Sequence, residues 1–600
     1  VSSVAASERT TLRDGFAVLG VAIRREPWIF TVSTIGSVLF GALTVADAWV
    51  LGWSTDHVVL PAFRTGHTSA RLLLAVLALF VGVAILRAIG IVARRLGAGV
   101  MQYRMQAAYR REVTAQYLRL PMSWHQQHPA GQLLSNANAD VEAAWAPIAP
   151  LPMAVGTVAM MVIAVVQMLL VNLTMAAVGL LVFPAVTLVT LVYQHYSSPL
   201  FTRIQALRAE LSEIAHESFD GAMVVKTLGR ETEETARFAA KAEQLRDLGI
   251  RVGRIRAFFD PLLEALPSFG VLGVLGVGVI QVRNGGAAPG DVVTIAYLLT
   301  IVAFPIRSIG WLLGEFPRSV VGFRRVHRVL DEPVVTTYGE TRSTTGGPAR
   351  LEVAALRFGY DVDRPVLDDL TFVVEPGRTV AVVGETASGK STLTTLLTRL
   401  VDPDDGAVLL DGIDLRSFAQ GELARHVALV PQSAFLFDDT VRGNVGLGED
   451  VSDEEIWEAL RIAQAEEFVG ELARDGGDGL DARLGERGTT LSGGQRQRLS
   501  LARALVRRPR LMILDDATSA VDPEVEARIL GGLRDQLGGA GGGTLVLIAY
   551  RKATIGLADE VLYLERGRIA DRGTHEELLL RNDDYARLVN AYEQQEAVHE

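Results

Sequence analysis

Three short stretches carry residue types whose spacing suits phosphate chemistry. In "TVAVVGETASGKSTLTTLL" an apolar strand pattern runs into Gly384, Glu385, Thr386, Ala387, Ser388, Gly389, Lys390, Ser391 and Thr392, and then into a helical pattern. G-x-x-x-x-G-K-[ST] between a strand and a helix is a phosphate cradle. Its glycines let backbone N–H groups curl around phosphate oxygens, and the helix N-terminus adds partial positive charge. Lys390 is expected to reach the β- and γ-phosphates, and the Ser391 hydroxyl to ligate Mg²⁺. Ala387 stands where Gly is common, which a negative φ would accommodate. In "LMILDDATSAVD" a buried-strand pattern ends in an acidic pair. Asp515 can orient Mg²⁺, and Asp516 stands where a carboxylate would polarise the attacking water. Between these two lies "LSGGQRQRLSLARAL", where Ser492, Gly493 and Gly494 lead into a helix and offer a second phosphate-binding N-terminus. A chain with two such ends can bind one ATP between two copies of its domain.

The elements that position these motifs belong to a chain of two contrasting halves. Six hundred residues exceed one domain, and 49% hydrophobic content with a mean hydropathy of +0.26 points to a membrane protein. Residues 1–340 hold 29 basic and 24 acidic side chains; the remainder holds 29 and 45, within a total charge of −11. An apolar, mildly basic front followed by an acidic rear fits a membrane domain fused to a cytosolic one. It argues against nucleic acid as a partner of the rear half. With no Cys, disulfides and thiolate metal sites are excluded. Only four of the 58 basic residues are Lys, a bias that suggests a GC-rich, bacterial genome.

Apolar runs near 28–53, 71–93, 149–171, 174–195, 260–282 and 290–313 predict six membrane spans, each near the roughly 20 residues that cross a bilayer. "VNLT" between the third and fourth makes a tight hairpin. "TLRDGFAVLGVAIRREPW" reads as an amphipathic surface helix rather than a cleavable signal. The Arg-rich segments after spans two and four place those loops and both termini in the cytoplasm. They also read as helical extensions of the spans. Asp47 and Arg87 are intramembrane ionisable groups, for which a functional role and a structural pair both stand. Gln167 and Pro305 read as a polar contact and a kink. A polar Gly-, Pro- and Thr-containing stretch, 331–350, marks a linker. The expected order is a transmembrane domain at 1–330, the linker, an α/β P-loop nucleotide-binding domain at 351–590 and a tail at 591–600, with a flexible loop at "GGAGGG", 538–543.

These motifs, in this order, resemble those of ATP-binding cassette exporters, specifically half-transporters with one membrane domain fused to one cassette, and the resemblance covers nearly the whole chain. "VPQSAFLFDDTVRGNV" looks like the family's Q-loop, with Gln432 a further Mg²⁺ ligand. "RLGERGTTLSGGQRQR" looks like the X-loop and signature, so Leu491, Ser492, Gly493, Gly494 and Gln495 are implied to meet a partner's ATP. "SAVD" looks like the D-loop, ending at Asp522. Tyr360 in "LRFGYDVDRPVLDDLTF" stands where the family stacks an aromatic ring on adenine. "PMSWHQQHPAGQLLSNANADVE" and "ESFDGAMVVKTLGRE" resemble the two intracellular coupling segments.

Two positions depart from the family pattern. Asp516 is one methylene shorter than the usual Glu, and Tyr550 in "LIAYRKATI" replaces a His. A general base must lie within hydrogen-bond reach of its water, and a phenol of pKa near 10 is a poor substitute for imidazole. Cradle and signature are unaltered, so the resemblance implies a site that binds ATP and hydrolyses it slowly. It also implies a partner half-transporter with Glu and His in place. The expected cargo is a small hydrophobic or amphipathic molecule, drug or lipid-like, crossing the plasma membrane outward. A slow homodimeric exporter, an importer of siderophore-like cargo and an ATP-gated channel or regulatory subunit are the alternatives; a soluble cassette ATPase is excluded by the spans.

Overall fold

A computed structural model describes residues 2–302, 305–334, 336–343, 345–361, 364–473, 478–537 and 543–599. The chain divides into two compact units. Val1–Leu118 with Ala130–Glu332 form the first, and Arg119–Pro129 with Pro333–Glu600 form the second.

The first unit is helical. Among the described residues five helical stretches are long and apolar enough to cross a membrane: Pro27–Thr65, Ala70–Tyr117, Ala130–Val171, Leu173–Asp220 and Glu231–Arg283. The principal helices are α1 (Ser2–Arg25), α2 (Pro27–Ser54), α3 (Ala70–Tyr117), α4 (Leu151–Val171), α5 (Val182–Asp220), α6 (Glu231–Arg283), α7 (Pro289–Val302) and α8 (Pro305–Leu330). The sixth expected span falls on α7 and the start of α8; 303 and 304 lie outside the described residues. Pro305 opens α8, a position where a missing N–H costs nothing. At 1.5 Å per residue the 48 residues of α3 and 53 of α6 run about 70 and 80 Å, far beyond a bilayer's roughly 30 Å of hydrocarbon. The hairpin between α4 and the next helix turns on Asn172, whose side chain accepts from the N–H groups of Thr174 and Met175.

Close backbone approach holds α2 against its neighbours. A Cβ on Gly36 would lie 2.9 Å from the Gly90 carbonyl oxygen of α3, and one on Gly156 of α4 would lie 2.5 Å from that of Ser37. Small residues at such crossings are how helices pack without a hydrophobic drive between them. The same α2–α3 contact brings Arg87 onto Asp47, its guanidinium donating to the carboxylate, so the two intramembrane ionisable groups form a pair. Asp56, beyond α2, accepts from the N–H of Gly290 at 2.7 Å, in the first turn of α7.

The second unit is α/β. A four-stranded antiparallel sheet has the order β2-β1-β4-β5, from β1 (Leu351–Phe358), β2 (Leu367–Val374), β4 (Asp405–Leu410) and β5 (Ile413–Asp414). A six-stranded sheet has the order β10-β9-β3-β8-β7-β6. Its strands are β3 (Thr379–Gly384), β6 (Val427–Val430), β7 (Leu511–Asp515), β8 (Thr544–Ile548), β9 (Glu560–Glu565) and β10 (Arg568–Gly573). All its pairings are parallel except that of β10 with β9. Central parallel strands are covered on both faces, which is why β3, β7 and β8 read as unbroken apolar runs. Leu511, Met512 and Ile513 are fully buried, and each such side chain contributes roughly 1.5–3 kcal/mol. That burial fixes the point at which Asp515 leaves the sheet. The helices that matter below are α9 (Lys390–Leu397), α10 (Gly493–Leu505) and α11 (Pro523–Leu537). A last helix, Asp583–His599, runs through the stretch expected as a tail. The "GGAGGG" loop lies outside the described residues except for Gly543.

Candidate functional site

The phosphate loop connects the C-terminal end of β3 to α9. Gly384 admits no side chain, since a Cβ there would meet the Leu564 carbonyl oxygen at 2.3 Å. Gly389 caps α9 at φ +102. The φ of Ala387 is +66, not the negative value that would accommodate it without strain. The loop's curl demands a left-handed residue there, and the methyl group bears strain that glycine would not. Lys390 folds back into the loop and donates from Nζ to the carbonyls of Gly384 at 2.7 Å and Glu385 at 2.5 Å, and to the Ser388 hydroxyl at 3.1 Å. The Tyr550 ring centroid is 4.9 Å from the same ammonium, a cation–π contact. Burial pushes Lys390 down to about 8, against the raising influence of Asp515, Asp516 and Glu385.

Asp515 ends β7 and accepts from the Thr394 hydroxyl at 3.4 Å. Burial raises its pKa above the usual carboxylate range, countered by hydrogen bonds from Thr394 and Ser391 and by the charge of Lys390. Asp516 is next, at φ +50, a conformation that Asp tolerates better than most residues. Its N–H donates to the Ile548 carbonyl at 3.2 Å. Asp516 and Tyr550 therefore leave neighbouring parallel strands at the same end. Its carboxylate accepts from Gln432 Nε2 at 2.8 Å. Burial pushes this group up to about 6, with the Gln432 bond and the charge of Arg551 acting the other way.

A cleft of about 1230 Å³ brings together Lys390, Ser391, Gln432, Asp516, Asp522 and Tyr550. Tyr360 and the run Leu491–Gln495 fall outside its lining. The Tyr360 ring is exposed, with its hydroxyl 3.4 Å from that of Thr392. Ser492 caps α10 in a reciprocal box, accepting from the Gln495 N–H at 3.2 Å while Gln495 Oε1 accepts from the Ser492 N–H at 2.8 Å. Gly494 lies against the D-loop, where a Cβ would meet the Ala520 carbonyl oxygen at 2.5 Å. Ser391, Gln432 and Asp515 offer only oxygen donors, the hard set that suits Mg²⁺. Since Gln432 Nε2 is engaged with Asp516, Oε1 is its atom for a cation.

Several residues here had no separate signal in the sequence. Arg551 donates to Glu526 Oε2 at 2.6 Å and to the carbonyls of Val521 at 3.2 Å and Ser519 at 3.0 Å. The other oxygen of buried Glu526 accepts from the hydroxyls of Thr518 at 2.6 Å and Thr554 at 2.7 Å. This satisfied carboxylate holds the D-loop to the segment after β8. The adjacency of Arg551 to Tyr550 was the one available clue; nothing in the spacing marks Glu526.

Two family models match. The "ABC transporter transmembrane region" covers residues 30–306, and "ABC transporter" covers 367–519. The chain is 33% identical over 597 residues to an ATP-dependent lipid A-core flippase of Pseudomonas fluorescens, covering 98% of this chain and 97% of the relative. The chain belongs to the ABC transporter family, among its exporters. It is also 33% identical over 502 residues to a multidrug efflux ATP-binding/permease protein of Mycobacterium bovis, covering 83% of this chain and 41% of that longer one. A solved bacterial Atm1-family ABC exporter with ATP bound superposes with a TM-score of 0.72 at 26% identity, covering 94% of this chain and 98% of that one. The exporter is thus a multi-pass membrane protein with a helical membrane domain fused to an α/β ATP-binding domain.

Proposed function

We propose that this exporter moves a hydrophobic or amphipathic, lipid-like or drug-like molecule out across the plasma membrane of a bacterium, with both termini and the nucleotide-binding domain in the cytoplasm. The flippase and multidrug efflux relatives support that substrate class. In this proposal the chain is one half of a heterodimer. Its own cradle, Lys390 and Ser391, binds ATP with Mg²⁺ held by Ser391, Gln432 and Asp515, and adenine stacks on Tyr360. Hydrolysis at this site is slow, because Asp516 is a shortened base and Tyr550 stands in for the imidazole. The signature Leu491–Gln495 completes a working site on the partner chain.

One observation carries this proposal: Asp516 and Tyr550 share a cleft with the unaltered Lys390 and Ser391. Two departures beside one γ-phosphate position weaken turnover while leaving binding in place. The test is steady-state ATP turnover by the purified chain, alone and co-purified with a half-transporter that carries Glu and His. Slow turnover alone, with ATP still bound, and fast turnover in the complex are expected. In the complex Ser492→Arg should impair turnover more than Asp516→Asn does. Fast turnover by the isolated chain, abolished by Lys390→Ala, would replace the proposal with a homodimeric exporter.

A further inference from the structure

Gln497, on α10, is buried, at 5% exposure, and its amide makes three hydrogen bonds to two different loops. Nε2 donates to the carbonyl oxygen of Gln432 at 3.1 Å and to the Ser519 hydroxyl at 3.0 Å. Oε1 accepts from the N–H of Ala520 at 2.9 Å. Both loops return to one residue. The Gln432 side chain donates to the Asp516 carboxylate at 2.8 Å, and the Ser519 N–H donates to the Asp516 carbonyl at 3.3 Å. The result is a closed ring, from Asp516 through Gln432, Gln497 and Ser519 back to Asp516. On its far side the D-loop is held by Arg551, through the carbonyls of Ser519 and Val521.

We propose that Gln497 is a positioning residue for ATP hydrolysis: one buried amide sets the Q-loop and the D-loop against each other, and so sets where Gln432 holds the Asp516 carboxylate. An amide is the side chain this place requires. It must donate twice and accept once within a dry space, where an unmade hydrogen bond is costly. A shift of either loop moves the Asp516 carboxylate relative to its water, and displacements of about 1 Å are the scale at which proton transfer fails. Gln497 lines no part of the cleft, so it acts on turnover without touching nucleotide. This role presupposes that Asp516 acts on the attacking water, as proposed above.

The test uses the full chain in lipid nanodiscs, with two variants of equal length. Gln497→Met removes all three bonds; Gln497→Glu keeps an acceptor for Ala520 N–H and removes both donors. Two measurements are made: backbone hydrogen exchange of the segments 430–436 and 516–522, and phosphate release from γ-labelled ATP together with ATP affinity. Gln497→Met should speed exchange in both segments and lower kcat about tenfold, with KM and ATP affinity within about twofold. Gln497→Glu should speed exchange in 430–436 more than in 516–522. Combined with Asp516→Asn, Gln497→Met should lower kcat less than about twofold further, because groups acting through one carboxylate are not additive. Unchanged exchange in both segments with Gln497→Met would overturn the positioning role, and so would an equal fall in kcat with and without Asp516→Asn. A failure of the reading of Asp516 itself is seen separately, as an unaltered kcat in Asp516→Asn alone.

Discussion

The two sides of the nucleotide cleft are built in opposite ways. The Lys390 ammonium takes its three acceptors from Gly384, Glu385 and Ser388, all within six residues along the chain. Asp516 takes its hydrogen-bond donor from Gln432, 84 residues away, and the charge that counters its burial from Arg551. The cradle is local geometry and persists wherever the strand–loop–helix persists. The corner around Asp516 is assembled from four segments and depends on their mutual placement. Binding is thereby separable from changes that alter hydrolysis, which is the separation that the proposed slow site requires.

The largest expected effect tests that separation directly. Lys390→Ala removes the one cation the cradle supplies, and ATP affinity should fall about 10²-fold or more in equilibrium binding with a fluorescent ATP analogue. Asp516→Asn should leave affinity within about twofold, since the carboxylate is held by Gln432 and not by a residue of the phosphate cradle. Comparable losses from the two changes would mean that cradle and corner bind nucleotide together.

What could be read from the sequence follows the same division. The P-loop's strand, turn and helix are legible because their partners are neighbours in the chain, and Asp515 is legible because it ends an unbroken apolar strand, although its own partner Thr394 is 121 residues away. The apolar spans were legible because twenty consecutive residues must satisfy one solvent. The φ of Ala387, +66, is not legible, because a hydropathy pattern fixes no single φ. Asp47 and Arg87 were visible as charges, but their pairing depended on how α2 meets α3 through Gly36 and Gly90. Glu526 and Gln497 were invisible as functional residues, because their roles exist only once D-loop, Q-loop and α10 are side by side.

The next effect in size comes from restoring the corner. Asp516→Glu should raise turnover at this site only about threefold. The longer carboxylate reaches further toward the water, but Glu is less at ease than Asp at φ +50, and the Gln432 bond is set for the shorter arm. Adding Tyr550→His should raise turnover about tenfold or more, beyond the product of the separate gains, because base and γ-phosphate donor serve one transition state. In the proposed heterodimer the measurement is single-site turnover with the catalytic Glu of the other half-transporter changed to Gln. Full activity from Asp516→Glu alone would remove Tyr550 from the defect.

The pH profile distinguishes the two sides within one experiment. Asp516 is pushed up to about 6 and must be ionised to act as a base, so kcat/KM should climb as pH rises through about 6. Lys390 is held down to about 8 and must be protonated to meet phosphate, so kcat/KM should fall as pH rises through about 8. The expected curve is a bell with limbs near those values, and each pH unit beyond a limb lowers the rate about tenfold. Asp516→Asn should erase the acid limb and keep the alkaline one. An acid limb that survives the change belongs to the nucleotide's own phosphate.

The smallest expected effect concerns Ala387, the cradle position where Gly is common. Ala387 sits at φ +66, where a side chain costs about 1–2 kcal/mol relative to glycine. Ala387→Gly relieves that strain but adds freedom to the unfolded chain, which takes back about 0.5–1 kcal/mol. The net gain should be at most about 1.5 kcal/mol, seen as a slightly higher Tm of the nucleotide-free protein. ATP affinity should change less than about threefold, because the groups expected to meet phosphate are backbone N–H and Lys390, which the substitution leaves in place. A tenfold rise in affinity would show that the strain at Ala387 weakens binding as well, and the cradle would then no longer stand as the unaltered side of the cleft. A tenfold fall would show that the methyl group stiffens the loop around the phosphates, so that rigidity at Ala387 contributes to the ATP-holding role.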